Sequence, residues 1–476
     1  MTPNRELGSS GDSALSHEEA AKLAVMDAWT RSLPVQIVIR SPEITLKGRN
    51  QGEFWVRLRT NLRRHLDRRG VSWQVTSARA KLCVEAGVAP AGEDIERALG
   101  AVREVAGVDS FCVARRVERN EVFSGGGLDR ERIEGALVEM ARESYEPGKS
   151  FALRVHRVDK RFPLKSAEME AWLGEAIRER TSWSRVDLDS PDRTFYLDIH
   201  SDALFLYAER RKGLGGLPVG SSGNVLSLLS GGIDSPVASF LLSRRGASVD
   251  WFHMSATHVG VGEFETSVVG RIARTLSRFS SQSRLFIVPY THFDLALGGG
   301  ETGYEPVLFR RFLFRVGEAL ACRIGASALV TGDSLAQVAS QTLENLVTTS
   351  KAVEILVLRP LVGMDKQQIM DLARRVGTYE ISIEPYKDCC ALYARRVRTR
   401  TREEAVSLLE RRLFPDYAGL VQRSLEDTLC GRYECGELVS VGEGVDVDRR
   451  AYLAQVRQDA VEVEKRPPGV ALARRE

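Results

Sequence analysis

The stretch Val225–Gly246, VLSLLSGGIDSPVASFLLSRRG, is the part of the chain that decides the fold. Its mostly apolar start, Val225–Leu229, predicts a buried strand of a parallel sheet. The glycine-containing turn Ser230–Ser235 follows, and the apolar-periodic run Pro236–Leu242 predicts a helix that ends at Gly246. This order brings free backbone N–H groups together with the positive end of the helix dipole. The stretch therefore predicts an anion-binding site at the edge of a sheet.

The turn Ser230–Ser235 resembles the PP-loop, SGGxDS, of enzymes that cleave ATP between the α and β phosphates and adenylate a carbonyl oxygen. It is not a Walker loop, because no Gly-Lys-Ser/Thr follows the glycines. An ordinary strand–turn–helix corner is the alternative, and the complete match to the motif disfavours it. Asp234 would repel a polyphosphate, so we expect it to hold Mg²⁺ or a water molecule. The resemblance implies an enzyme that uses ATP.

The composition is that of a multidomain globular protein. A chain of 476 residues is too long for one core, so about two to four domains are expected. Seven cysteines argue against a disulfide framework, and the N-terminus lacks the apolar core of a signal peptide. No apolar run is long enough to span a bilayer, so a cytoplasmic protein with no membrane contact is expected. The net charge is only +3, so nucleic-acid binding has to be argued from local clusters.

The N-terminal part predicts an extension followed by a ferredoxin-like domain. Residues 1–33 are expected to be a flexible extension, and residues 34–108 form the domain. Its predicted elements are strand Val35–Ile39, helix Glu53–Leu66, strands Trp73–Ser77 and Lys81–Glu85, a helix near Asp94–Val102 and a return strand near Phe111. Arginines between Arg57 and Arg69 crowd the first helix; a solvated face and a phosphate-binding face are equally compatible with them.

Residues 109–218 predict a second α/β unit with a basic loop. Its elements are helix Arg130–Ser144, strand Ser150–Val155, helix Ser166–Thr181 and strands Thr194–His200 and Ala203–Glu209. Ser166 is predicted to be the N-cap of the second helix. The loop before it suits an RNA backbone or a terminal phosphate. The basic residues proposed to bind RNA are Arg154, Arg157, Lys160, Arg161 and Lys165.

Residues 219–430 predict a doubly wound parallel sheet, entered through the glycine-rich linker that ends at Gly220. Further strands are predicted at Ser248–His253, Arg284–Pro289, Ala328–Thr331 and Val353–Arg359. Alternation of strands and helices places a ligand site beyond the carboxyl ends of the strands. Residues 431–476 are expected to be a C-terminal tail. The whole chain is therefore predicted to be an α/β multidomain protein.

A set of sequence blocks in order resembles the tRNA 4-thiouridine synthetases, which are ATP-dependent tRNA sulfurtransferases also linked to thiamine thiazole synthesis. The resemblance covers residues 35–430 and implies a ferredoxin-like domain, a THUMP RNA-binding domain and a PP-loop ATPase domain. The chain departs from the family at Ser41-Pro42-Glu43, and too few residues follow Cys430 for the rhodanese domain of some members. The blocks are Glu43–Asn50, Asp159–Ser166, Gly215–Gly220, Ser230–Ser235, Thr331–Thr342, Gly363–Lys366 and Asp388–Cys390.

The resemblance implies an ATP site built from several of these blocks. The loop would hold the pyrophosphate, one of two adjacent arginines would bind phosphate, and Lys366 would neutralise charge on the phosphates. Thr331-Gly332 can also be interpreted as a simple tight turn. The residues implied to bind ATP are Leu228, Leu229, Ser230, Gly231, Gly232, Ser235, His253, Met254, Arg310, Arg311, Gly332 and Gln341. No metal site of the protein itself is expected, since Mg²⁺ would arrive with ATP.

Cys389 and Cys390 are the candidates for carrying sulfur as a persulfide, and Arg395, Arg396 and Arg398 follow them closely enough to lower a thiol pKa. Two small buried hydrophobic residues are the alternative interpretation. A second pair, Cys430 and Cys435, has the wrong spacing for a zinc ribbon and lies among acidic residues that would raise a thiol pKa. We expect that second pair to be inert.

The favoured interpretation is a sulfurtransferase that adenylates a tRNA uridine at O4 and replaces that oxygen with sulfur, with Asp234, Lys366, Cys389 and Cys390 as catalytic residues. ATP, Mg²⁺ and persulfide sulfur would be its cofactors, and tRNA, a cysteine desulfurase and a second copy of the chain its partners. The alternatives are a PP-loop ligase that uses ammonia and a non-enzymatic RNA-binding or sulfur-carrier protein. The sequence does not identify the sulfur donor, the carrier cysteine or a role in thiazole synthesis.

Overall fold

The structure is a computed structural model that describes residues 26, 28–78, 81–88, 90–124, 127–298, 303–386, 389 and 398–445. Cys390, Arg395, Arg396 and most of the predicted extension and tail lie outside the described residues. The chain divides into two compact units. One unit comprises residues 1–38, 83–95 and 111–211, and the other comprises residues 39–82, 96–110 and 212–476.

The bounds of the elements agree closely with the predicted ones. The strands are β1 (Pro34–Arg40), β2 (Gln74–Ala78), β3 (Lys81–Val88), β4 (Ser110–Glu118), β5 (Phe123–Ser124), β6 (Gly127–Leu128), β7 (Ser150–Arg157), β8 (Arg185–Val186), β9 (Arg193–Ile199), β10 (Ala203–Tyr207), β11 (Arg211–Lys212), β12 (Asn224–Leu228), β13 (Ser248–Ser255), β14 (Gln282–Pro289), β15 (Ala328–Val330), β16 (Leu356–Leu358), β17 (Leu429–Glu434) and β18 (Glu437–Glu443). The α-helices are α1 (Pro42–Thr45), α2 (Gln51–Arg68), α3 (Gly92–Arg103), α4 (Arg130–Glu143), α5 (Ser166–Arg180), α6 (Asp234–Arg244), α7 (Val268–Ser277), α8 (Thr291–Leu297), α9 (Glu305–Ile324), α10 (Leu343–Ser350), α11 (Lys366–Val376), α12 (Tyr379–Ser382), α13 (Glu403–Leu413) and α14 (Tyr417–Glu426).

The first part of the chain follows the predicted ferredoxin-like order. Strand β1 is followed by α2, β2, β3, α3 and the return strand β4, with the short helix α1 added after β1. The sequence analysis did not predict α1. Ser41-Pro42-Glu43, where the chain departs from the family, forms its start, because a proline fits the first turn of a helix and its ring fixes φ there.

The unit that contains residues 111–211 packs helices α4 and α5 against a mixed sheet. Strands β4, β10, β9, β7 and β8 are successive neighbours; β10 is antiparallel to β4 and β9, whereas β7 is parallel to β9 and β8. Its core contains Trp183, whose indole Nε1 donates to the Ala141 carbonyl at 2.8 Å. The prediction that Ser166 is the N-cap of α5 was wrong. Lys165 is the N-cap of α5 and Ser166 is already helical, because the Glu168 carboxylate accepts a bond from the Lys165 backbone N–H.

The other unit contains the predicted doubly wound sheet. Its strand order is β16-β15-β12-β13-β14-β17-β18, in which the first five strands are parallel. Side chains alternate between two apolar clusters: Phe252 and Phe286 face one layer of helices, and Trp251 and Leu285 face the other. Chain order reverses between β12 and β15, which opens a crevice at their carboxyl ends.

The sheet extends beyond the boundary that the sequence analysis placed at residue 430. Strand β17 runs antiparallel to β14, and β18 pairs antiparallel with β17. Residues 431–443 therefore belong to the sheet and not to a tail. Cys435 and Gly436 form the two-residue turn between these strands, both with positive φ, of 46° and 94°. In the described part of the chain, no helix combines the length and the hydropathy needed to cross a membrane.

Candidate nucleotide site at the carboxyl edge of the parallel sheet

The loop between β12 and α6 is folded by its own serine hydroxyls. The Ser230 backbone N–H donates to Ser235 Oγ at 2.8 Å, and the Gly232 N–H approaches Ser230 Oγ at 3.3 Å. Helix α6 begins at Asp234, two residues before the predicted start, so its N-terminus faces the loop directly. The prediction of a strand, a turn and a helix here is confirmed, and the positive end of the helix dipole favours an anion.

Two glycines permit close packing around this loop. A Cβ on Gly231 would lie 2.4 Å from Cδ1 of the Tyr386 ring, and a Cβ on Gly332 would lie 2.6 Å from the Ser235 backbone nitrogen. Gly332 therefore brings the end of β15 against the N-terminus of α6. The tight turn at Thr331-Gly332 and a role in the site are thus compatible, because the turn is what places this strand end beside the loop.

A cavity of ≈ 390 Å³ opens at this edge of the sheet. Its size is within the range of small-molecule sites. One part of its wall is apolar and the other is polar, so the cavity suits a ligand with a flat apolar end and a charged end. It is lined by Leu228, Ser230, Asp234, Ser235, Pro306, Arg310, Leu313, Phe314, Thr331, Gly332, Asp333, Val338, Ser340 and Gln341.

Asp234 brings together two residues from distant parts of the sequence. Its Oδ1 lies 2.6 Å from Lys366 Nζ, and its Oδ2 accepts a bond from Gln337 Nε2 at 2.8 Å. Lys366 is the first residue of α11, which is held by a capping box at Asp365. The two catalytic residues predicted outside the cysteine pair therefore lie in direct contact. Gln337 was not predicted; it follows Ala336, which has a positive φ of 60°.

Asp333 is the charged centre of the polar wall, and the sequence analysis did not select it. Its carboxylate oxygens lie 2.6 Å from Arg310 Nη2, 3.3 Å from Arg359 Nε and 2.8 Å from the Thr331 hydroxyl. Burial by itself would raise the pKa of Asp333, but the Arg310 guanidinium, the Thr331 hydrogen bond and Arg359 outweigh burial and lower the pKa below its ordinary value. The signal for it was available, because Asp333 lies three residues after the end of the buried strand β15, within the block Thr331–Thr342.

The two adjacent arginines have different environments. Arg310 lines the cavity, which is compatible with the prediction that one of the pair binds phosphate. Arg311 points away from it and is only 1% exposed; its guanidinium bonds Glu410 at 2.8 Å and the Thr348 carbonyl at 2.6 Å. The burial of Arg311 therefore contradicts its assignment to the ATP site; successive helical residues point about 100° apart, and only Arg310 faces the cavity.

Several residues that were predicted to contact ATP pack around the loop and do not line the cavity. Leu229 belongs to the apolar cluster on the other side of the sheet from Leu228, and Met254 is buried. His253 is 2% exposed, and its Nδ1 bonds the Leu229 carbonyl at 2.9 Å. These three residues, with Gly231, Gly232 and Lys366, are not among the described residues that line the cavity.

Cys389 is not an exposed thiol in the structure. Cys389 is 1% exposed, packs in an apolar cluster, and its thiol donates to the Met254 carbonyl at 3.2 Å. Arg398, proposed to help activate it, lies over the Tyr304 ring at 4.6 Å. Burial, reinforced by the charge of Glu434, raises the pKa of Cys435 to about 12, in the direction that was predicted. Cys430 is half-buried within β17.

The predicted RNA-binding residues divide into two groups. Arg154 and Arg157 bond backbone carbonyls of their own unit, Arg154 that of Leu188 and Arg157 those of Phe162 and Leu164. Lys160, Arg161 and Lys165 are exposed, with Arg161 also bonded to Asp159 at 2.9 Å. Arg157 is half-buried and therefore shapes the loop, whereas Arg154 is bonded but exposed, and with Lys160, Arg161 and Lys165 it presents positive charge to solvent.

Three protein-family models match successive parts of the chain. A ThiI ferredoxin-like domain matches residues 36–112, a THUMP domain matches residues 129–209, and the thiamine biosynthesis protein (ThiI) model matches residues 220–413. The last of these contains the loop and the cavity described above.

Relatives and a solved structure agree with these matches. A probable tRNA sulfurtransferase of Bacillus licheniformis is 34% identical over 395 residues, which are 82% of this chain and 94% of the relative. One of Geobacillus kaustophilus is 34% identical over 395 residues, covering 83% and 94%. A crystal structure of a 4-thiouridine synthetase–RNA complex with bound ATP has 29% identity and a TM-score of 0.73, covering 84% of this chain and all of that one. The chain therefore belongs to the tRNA sulfurtransferase family.

Proposed function

We propose that the protein is an ATP-dependent sulfurtransferase that adenylates a tRNA uridine at O4 and replaces that oxygen with sulfur to give 4-thiouridine. The observation that carries the proposal is the Ser230–Ser235 loop, which presents the N-terminus of α6 to a cavity with one apolar and one polar wall. Two relatives named as tRNA sulfurtransferases and a 4-thiouridine synthetase solved with RNA and ATP support it.

The two walls of the cavity suggest an orientation for ATP. The adenine ring would lie against the apolar wall, which includes Leu228 and Phe314, and the pyrophosphate would bind the backbone N–H groups of the loop. Uridine O4 then attacks the α-phosphorus and pyrophosphate leaves. With sulfide as donor, the sulfur adds to C4 and AMP leaves with the original oxygen. With a cysteine persulfide as donor, the outer sulfur adds to C4 and AMP leaves in the same way. A second thiol then attacks the sulfur of the carrier cysteine, which releases 4-thiouridine and leaves a disulfide that a dithiol reductant reopens. Adenylation thus turns a poor leaving group into a good one.

Asp234 and Lys366 are placed to control charge during adenylation. Lys366 Nζ stands at the edge of the loop and would neutralise charge that develops on the leaving pyrophosphate. Asp234 lines the cavity and offers the carboxylate oxygens that Mg²⁺ takes together with nucleotide phosphates. Mg²⁺ would supply charge neutralisation when it is bound with ATP.

The sulfur donor and the RNA contacts are further parts of the proposal. We propose that a cysteine desulfurase delivers persulfide sulfur to Cys389 or Cys390. Because Cys389 is buried, its thiol has to be exposed transiently while sulfur is loaded, and it transfers the sulfur from its position beside β13. The exposed Lys160, Arg161 and Lys165 would contact tRNA phosphates. A homodimer, a cytoplasmic location and a contribution of sulfur to thiazole synthesis follow from the resemblance alone and belong to the same proposal.

The decisive experiment mixes purified protein, tRNA, ATP and sodium sulfide and measures AMP release and the mass of the tRNA nucleosides. We expect 4-thiouridine with the wild type and loss of both products with Asp234→Ala, with tRNA affinity nearly unchanged. Asp371→Ala, which removes an exposed carboxylate on α11, is the matched control and should retain activity. A parallel reaction contains ammonium chloride in place of sulfide; a product that carries nitrogen there, with none from sulfide, supports the ammonia-using ligase, and no AMP release in either reaction supports a non-enzymatic protein. Full adenylation by Asp234→Ala contradicts the role given to Asp234.

A further inference from the structure

Two described residues of the segment 382–389, Tyr386 and Ser382, contact the nucleotide loop. The Tyr386 ring packs on Gly231 so closely that a Cβ there would lie 2.4 Å from Tyr386 Cδ1. The Ser382 hydroxyl donates to the Gly232 carbonyl at 3.3 Å. An ion pair between Glu384 and Arg271, with Nη1–Oε1 at 2.9 Å, fixes the same segment to α7. The segment therefore packs against the loop through residues that are not among the described lining of the cavity.

Tyr386 also reaches the loop through a histidine. Its hydroxyl lies 2.7 Å from His253 Nε2, and His253 Nδ1 lies 2.9 Å from the Leu229 carbonyl. A carbonyl oxygen only accepts hydrogen bonds, so Nδ1 carries a proton. In the neutral ring Nε2 is then an acceptor, and the Tyr386 hydroxyl donates to it. The chain of bonds ends at Leu229, the residue directly before the loop.

The sulfur candidate is attached to the same strand end. Cys389 lies three residues after Tyr386, and its thiol donates to the carbonyl of Met254, the residue after His253. Two side chains of one segment, Tyr386 and Cys389, thus bond two successive residues of β13. This arrangement fixes the position of the cysteine relative to the nucleotide loop.

We propose that Tyr386 is a positioning residue for sulfur transfer, which holds Cys389 at a set distance from the Ser230–Ser235 loop through its bond to His253. The inference rests on the proposed function, because the distance matters only if sulfur passes from this cysteine to an adenylated uridine. Tyr386 is not assigned a contact with substrate. Its hydroxyl acts through His253, and its ring acts through Gly231.

The test compares Tyr386→Phe with Tyr433→Phe in the full-length protein. Both variants keep the ring and lose one hydroxyl bond, since Tyr433 donates to the Gly270 carbonyl at 3.1 Å, away from the loop. With a cysteine desulfurase and cysteine as donor, we expect Tyr386→Phe to lower kcat about fivefold, the ratio that one neutral hydrogen bond provides. The KM for ATP and the turnover with sodium sulfide, which bypasses the cysteine, should change less than about twofold.

A second readout does not depend on turnover. Alkylation of Cys389 by iodoacetamide, followed by peptide mass spectrometry in the absence of ATP and tRNA, should become about fivefold faster in Tyr386→Phe, because a weaker attachment opens the buried site more often. Tyr433→Phe should leave this rate unchanged. His253→Gln should also accelerate alkylation, and the double variant should be no faster than His253→Gln alone if Tyr386 acts through His253.

The results separate the two proposals. A Tyr386→Phe variant that matches Tyr433→Phe in both kcat and alkylation, or additive effects in the double variant, overturns the positioning role. Equal losses with desulfurase and with sulfide overturn it too, because they place the defect in ATP use. A wild-type protein that makes no 4-thiouridine with either donor overturns the proposed function, and the alkylation rates still decide whether Tyr386 holds Cys389.

Discussion

Arg310 and Arg311 are adjacent in sequence, but the structure places them in different environments. Arg310 lines the nucleotide cavity and bonds Asp333, whereas Arg311 is buried on the other side of α9 against Glu410. The same substitution at both positions therefore tests the placement of the cavity directly. We choose methionine, because it keeps much of the length of the side chain and removes the charge.

The expected magnitudes follow from what each substitution leaves behind. Arg311→Met leaves Glu410, whose side chain is 4% exposed, with Arg315 at 3.3 Å and the Tyr417 hydroxyl at 3.4 Å as remaining partners. Breaking a buried pair costs about 3–5 kcal/mol, and the remaining partners favour the lower end, about 3 kcal/mol. Arg310→Met leaves Asp333 bonded to Arg359 and Thr331, so its cost should be about 1–2 kcal/mol.

The affinity for ATP should fall more in Arg310→Met than in Arg311→Met, the reverse of the order expected for stability. If Arg310 bonds a phosphate, its loss removes a charged hydrogen bond of about 1.5–3 kcal/mol, which weakens ATP binding about 10- to 150-fold. Arg311→Met should leave the dissociation constant for ATP within about twofold. Urea unfolding gives the first quantity and calorimetric titration with ATP gives the second. A stable Arg311→Met variant that fails to bind ATP would refute the reasoning, and so would an Arg310→Met variant with unchanged affinity.

Three further predictions concern the RNA contacts, the cysteines and the buried acid. Lys160→Ala should lower the salt slope of tRNA binding by about one unit or slightly less, and the Arg157→Ala/Lys160→Ala double variant should show at least the same reduction; an unchanged slope in filter-binding titrations moves the RNA site elsewhere. Cys389→Ser or Cys390→Ser should abolish thiolation with a desulfurase as donor, and sulfide should partly restore it. The double variant Cys430→Ser/Cys435→Ser should retain most of the thiolation activity. If that double variant is inactive, the β17–β18 hairpin is the sulfur relay. The pKa of Asp333 is lowered in the folded protein, so ionised Asp333 stabilises the folded state fully above its ordinary pKa of about 3.9. This stabilisation is lost as the pH falls through the folded-state pKa. Asp333→Asn should therefore flatten the acid side of the stability profile, which thermal unfolding measures.

The sequence predicted the fold well where hydrophobic periodicity and glycine placement act locally. The strand, turn and helix around Ser230–Ser235 are confirmed, and so is the alternation that builds the parallel sheet. Strands β17 and β18 were missed, because both are short and contain a glycine and charged residues, and because their turn, Cys435-Gly436, lacks the usual asparagine or aspartate.

Site residues that belong to a sequence motif were predicted, whereas residues whose place in the site depends on tertiary packing were missed. Asp234 and Lys366 are distant in sequence, and only the motif could pair them. The side of α9 that faces the cavity depends on how the helix packs on the sheet, so Arg310 could not be separated from Arg311. Tyr386 carries no motif of its own, and its role depends on a contact with Gly231 that no local pattern encodes.

Strand β17 has a consequence for the order in which the protein is made. It covers the edge of β14, yet the residues that form β17 follow those of β14 by more than a hundred positions and are translated after all five parallel strands. Until Leu429–Glu434 has emerged, β14 keeps a row of unpaired backbone groups along a hydrophobic strand, which is a template for aggregation. A nascent chain interrupted after α14 should therefore depend on chaperones, whereas one that has added the β17–β18 hairpin should not.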